Sequence, residues 1–208
     1  MRNRCTVRWV VTWLALVAAA AVAGTASAQT PPPATYPITP DPNDCAVEPA
    51  PLEGVVNILQ TPVAAPASPT PFVPPLSVPA DAEVASDVVA TLYEVFACAN
   101  AGDPLRVVSL FTADFMRAFF SEASLEEVAG FLVTEPQPLP EEERRVIVRL
   151  GEVQMLPDGR AGVLIVLDEP DDPRTEEPDY AILEQVVGRW LVDEIHEDGG
   201  AGIATPTS

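Results

Sequence analysis

Between residues 82 and 120 apolar side chains recur at intervals of three and four. Val84, Val88, Leu92, Val95, Phe96 and Ala99 fall on one face of a helix, and Leu105, Val108, Phe111, Phe115 and Phe119 make a second stripe. Asp81 stands where an N-cap carboxylate accepts the first free N–H groups of the first helix. At the corner between the stripes, Gly102 suits the left-handed position past a helix end. Asp103 caps the next helix, and Pro104 occupies a first turn in which its missing N–H costs nothing. Thr112 is placed to cap a break within the second run. The chain therefore turns back on itself and encloses an apolar interior.

Ser124 and Glu127 have the spacing of a capping box, which predicts a third helix over 125–132 with Val128, Phe131 and Leu132 turned inward. Residues 134–140, TEPQPLP, end it. From Arg144 the period falls to two. Val146, Val148 and Leu150 alternate with Arg145, Ile147 and Arg149 and predict a strand with the first set on the apolar face. Pro157-Asp158-Gly159 is a turn, 162–167 reads as a central strand, and 180–186 with 189–196 form a hairpin about Val187-Gly188. The pattern predicts an α+β domain over 81–198, three helices packed on a bent four-stranded antiparallel sheet.

What precedes that domain has a different composition. Residues 1–28 read as a secretory signal peptide, with Arg2, Arg4 and Arg8 before an apolar run and Ala26-Ser27-Ala28 at the cleavage site; the alternative is an uncleaved membrane tether. Residues 29–80 hold 15 of the 24 prolines and predict a largely disordered linker, interrupted by a short amphipathic island at 43–60. Residues 199–208 read as a disordered tail. With Cys5 in the leader, the exported chain keeps Cys45 and Cys98, and an oxidising setting favours a disulfide that pins the island to the first helix; the alternative is two free thiols.

Charge and chemistry narrow the functions. The net charge is −20 and the sequence has no lysine, which excludes the clustered cations that nucleic acid requires. One histidine and, beyond the leader's Cys5, two separated cysteines give no zinc-ligand spacing, and neither a nucleophile elbow nor a phosphate-binding glycine loop is present. The acidic loop 168–179 has oxygen ligands for calcium but no EF-hand pattern, so it reads as a solvated connector. Asp114 suits a helix start, Asp193 and Glu194 should point to opposite faces of a strand, and His196 should be exposed near a strand end.

The segments ACANAGDPLRVVSLFTADF and GRWLVDEIHE, in that order over about residues 82–197, resemble the nuclear transport factor 2-like superfamily, which includes SnoaL-like proteins and ketosteroid isomerase. The resemblance implies a cone whose helices and bent sheet enclose a pocket, and dimerisation through the outer sheet face. Candidate pocket residues are Tyr93, Phe96, Phe111, Phe115, Trp190 and Asp193. The acid–base arrangements of the family's enzymes do not map onto the chain, so no catalytic residue, metal or cofactor is assigned. Three functions follow: a secreted, non-catalytic module binding a small apolar ligand or a protein partner, a cofactor-free lyase or isomerase, and a structural homodimer on a linker. No nucleic acid and no stable membrane span after leader cleavage are expected.

Overall fold

The computed structural model describes residues 36–61, 72–168 and 178–197. The expected leader at 1–28, the parts of the expected linker at 29–35 and 62–71, the expected tail at 199–208 and most of the 168–179 loop lie outside these residues. Helix α1 spans Leu52–Gln60, α2 Ala82–Asn100, α3 Pro104–Val108, α4 Ala113–Phe119 and α5 Leu125–Leu132. Each cap read from the sequence is made by the side chain expected. Asp81 accepts from the N–H groups of Glu83 and Val84, Asp103 from Arg106, Thr112 from Phe115, and Ser124 with Glu127 closes a capping box. Past α2 the Asp103 N–H reaches the Cys98 carbonyl and the Gly102 N–H that of Ala99, a Schellman closure with Gly102 at φ +62°.

The strands are β1 (Val78–Pro79), β2 (Val146–Leu150), β3 (Gln154–Met155), β4 (Ala161–Asp168), β5 (Asp179–Val186) and β6 (Arg189–His196). They form one open antiparallel sheet in the order β1-β3-β4-β5-β6, with β2 also paired to β4. Alternation along β5 separates its two faces. Ala181 and Leu183 join Val163, Ile165, Trp190 and Val192 in the main core beneath the helices, whereas Tyr180 and Ile182 pack with Leu156, Leu164 and Phe72 on the other face. The free edge of β6 is met by the α3–α4 connection, where the Val192 N–H donates to Leu110 O and the Thr112 N–H to Val192 O.

The described residues therefore hold five α-helices and six strands, where the sequence pattern predicts three and four. The second stripe divides at its Thr112 cap into α3 and α4, α1 lies in the proline-rich region, and β1 and β3 are two-residue strands. One facing is reversed. Ile147 is 1% exposed and Val148 is on the surface, because the β2–β4 register shifts between Ile147 and Arg149 and leaves Val148 as the extra residue of a bulge.

The island is also longer than 43–60. Residues 36–61 all take part in the fold: Ile38 exchanges both backbone hydrogen bonds with Ile147, the buried Pro40 gives its carbonyl to Asn100, and the Ala50 N–H donates to Leu105 O. Cys45 and Cys98 form a disulfide, and α1 packs on α4 and α5. Proline here removes donors that packing does not need, so it is compatible with a fixed path across the helices. Among the described residues no helix is long and apolar enough to cross a membrane.

Candidate ligand cavity

The helices do not close completely on the sheet. Between them lies a cavity of about 790 Å³. Its floor consists of buried apolar side chains, with Leu92, Val95 and Phe96 from α2, Val108 from α3, and Ile165, Ala181 and Val192 from the sheet. Phe111 and Phe115 form one wall, their rings edge to face at 4.8 Å between centroids. Phe119, Phe120 and Phe131 continue the aromatic series to the mouth, where Phe119 is 60% and Phe131 53% exposed. Phe131 is thus a mouth residue and does not point into the core as the helical pattern predicts.

Charge is confined to the rim. Asp103, Glu143, Arg145, Asp179 and Glu197 line the cavity and are all exposed or half-buried. Asp103 is already engaged by its cap and by Arg106, whose Nε lies 3.2 Å from Asp103 Oδ2. The hydroxyl of Thr134 donates to Gly130 O. No charged group reaches the floor among the described residues, and no three His, Cys, Asp or Glu side chains converge there or elsewhere as a metal would need.

Of the six candidate pocket residues, Phe96, Phe111 and Phe115 line the cavity. Tyr93 does not. Its hydroxyl donates to Asp44 Oδ2 at 2.9 Å and accepts the Asp41 N–H, so it fastens the N-terminal segment to α2; burial, then the bond to Asp44, pushes its pKa up. Trp190 is 5% exposed in the core under α2, its indole N–H without a hydrogen-bond partner.

Asp193 belongs to a separate polar cluster. It is the unpaired residue of a second bulge, since Ile182 faces Glu194 while Leu183 faces Val192. The bulge breaks the alternation that would have set Asp193 and Glu194 on opposite faces, and Arg160 Nη1 contacts both carboxylates. The Asp193 side chain is 12% exposed and also accepts from Thr112 Oγ1 at 2.8 Å. Burial opposes the Glu194 charge, but the bonds from Arg160 and His196 outweigh it and hold the carboxyl below its usual range. Burial likewise works against Arg160, and its bonds to Glu194, Asp193 and Asp158 reverse that and raise its pKa.

His196 is not the exposed residue the sequence predicts. Its Nε2 lies 2.7 Å from Glu194 Oε2 and its ring stacks on Phe72 with centroids 3.7 Å apart. Asp114, in the first turn of α4, pairs with Arg117. The aromatic mouth was foreshadowed by the i, i+4, i+8 spacing of Phe111, Phe115 and Phe119, whereas the rim comes from four separate segments and has no local signal. Comparison with models of protein families, with characterised proteins and with solved structures finds no match to this chain.

Proposed function

We propose that the chain is an exported, non-catalytic binding module of nuclear transport factor 2-like build, which takes one small apolar molecule into the cavity between helices and sheet. The observation that carries this reading is the cavity itself. It has the size of sites that hold drug-sized ligands, its floor is apolar, and two phenylalanines at its mouth stay more than half exposed. Covering the exposed half of each ring is favourable, by about half of the roughly 1.5–3 kcal/mol for burying such a side chain completely, and an entering ligand would supply that cover. The disulfide is compatible with export to an oxidising compartment. A homodimer through the outer sheet face has less behind it, because Phe72 already lies over Tyr180 and His196 there.

The test is uptake of a neutral apolar dye. Nile red should bind one per chain, and Ala99→Trp, which places an indole from the cavity wall into its volume, should abolish uptake while the circular dichroism spectrum is unchanged. Equal uptake by the folded variant, or none by the parent protein, rejects the cavity as a binding site.

A further inference from the structure

The rim specifies which apolar molecules the cavity accepts. Resting on the cavity reading above, we propose that the ligand is a cationic amphiphile, an apolar body carrying an amine or quaternary ammonium head, and that the site discriminates against fatty-acid-like anions. The floor offers a tail only hydrocarbon and aromatic surface, so a polar head on such a ligand is left at the mouth. Among the described residues it meets there four carboxylates, Asp103, Glu143, Asp179 and Glu197, and one guanidinium, that of Arg145. Arg106, beyond the lining, pairs with Asp103 and leaves the surplus negative. Arg145, Asp179 and Glu197 already have contacts inside the protein, so what acts on the head is the net field of the rim, with no single vacant partner required. That field is reinforced by a chain of net charge −20. The aromatic mouth is compatible with the same head: Phe119 and Phe131 are exposed there, and a ring face attracts a cation and not a carboxylate.

Three probes with the same tail and different heads decide the matter: decylamine, decanol and decanoate, below their aggregation concentrations at pH 7, where the amine is protonated and the acid ionised. Displacement of Nile red should rank them amine, alcohol, acid. The amine should lead the acid by about tenfold at low salt and fall to near parity at ~0.5 M salt, where exposed charges are screened beyond a few ångströms. In Glu143→Gln/Glu197→Gln, which changes two exposed residues, the preference should drop to about threefold or less; an undiminished preference in the folded variant overturns the rim as its source. Decanol binding with the amine and acid equal at low salt, or with the acid tighter, overturns the head-group selectivity and leaves the cavity standing. No binding by any of the three, decanol included, removes the cavity as a site and the selectivity with it.

Discussion

Asn100 ties three parts of the chain through one buried amide. Its Nδ2 donates to the carbonyls of Pro40 and Arg145, its Oδ1 accepts the Arg145 N–H at 2.8 Å, and its own carbonyl accepts the Leu139 N–H. The side chain is fully buried, so removing it leaves a backbone donor and two acceptors with no water to replace it. Asn100→Ala should cost about 2–4 kcal/mol in a urea titration. Asn100→Asp, nearly identical in shape, should cost at least as much, because it loses both donated bonds and buries a charge; recovery of parental stability by Asp would mean that the amide's donor role has been overstated. Two residues later a Cβ on Gly102 would sit 2.2 Å from the Gln137 carbonyl oxygen, at a φ that L side chains rarely adopt. Gly102→Ala should therefore destabilise by about 2–4 kcal/mol, measured in the same titration. The role of Gly102 was legible in the sequence because a helix end leaves a local mark. The role of Asn100 was not, because its partners lie 45 and 60 residues away.

At the scale of elements, helices were legible and strand facings only in part. A cap is decided within four residues, and Asp81, Asp103, Thr112 and Ser124 each do what their spacing implies. A bulge is decided by the partner strand, so Val148 and Asp193 both escape the period-two reading. The second bulge has a measurable consequence, since it gathers Asp193 and Glu194 on Arg160. Glu194 is held below its ordinary value of 4.5 in the fold. A carboxylate with a depressed folded pKa contributes stability that is present above its unfolded pKa and is lost as the pH falls through the folded one. The contribution of Glu194 should thus be complete at pH 7 and lost progressively as the pH falls below about 4.5. Arg160→Gln should cost about 1–2 kcal/mol at pH 7, where it removes the cation shared by two neighbouring carboxylates, a figure kept low by the partial exposure of Glu194 and by the bonds that Thr112 and His196 still donate. The gap between variant and parent should narrow at pH 3. An equal gap at both values, in denaturant titrations, would show that Arg160 acts through packing of its stem.

Across the whole molecule the cavity joins segments that no local pattern connects, with Phe111 and Phe115 legible as an apolar stripe and Glu143, Asp179 and Glu197 meeting them only through the chain path. The N-terminal segment poses the same question of scale. Its disulfide was legible from the leader-like N-terminal sequence and the number of cysteines, but the extent of its docking was not, because proline content speaks to backbone donors and says nothing about long-range packing. In the structure Val47 and Val55 are buried in the main core, and Ile38, Pro40 and Ala50 are each hydrogen-bonded to the domain. The disulfide closes a separation of 53 residues, for which the loop-entropy model gives about 4 kcal/mol as an upper figure. Cys45→Ala/Cys98→Ala tests whether the bond or the packing holds the segment. Alanine is the proper replacement, because Cys98 is fully buried and a serine hydroxyl there would need a partner. Global stability should fall by about 3–4 kcal/mol while the segment stays docked, since its buried side chains lose nothing but the cross-link. Hydrogen exchange at the amides of Ile38 and Ala50 should then proceed through the same opening as at Ile182 in the central sheet, with equal free energies. If the Ile38 and Ala50 amides exchange far faster than Ile182 in the variant, the segment peels off alone, and the covalent bond is what makes residues 36–61 part of the domain.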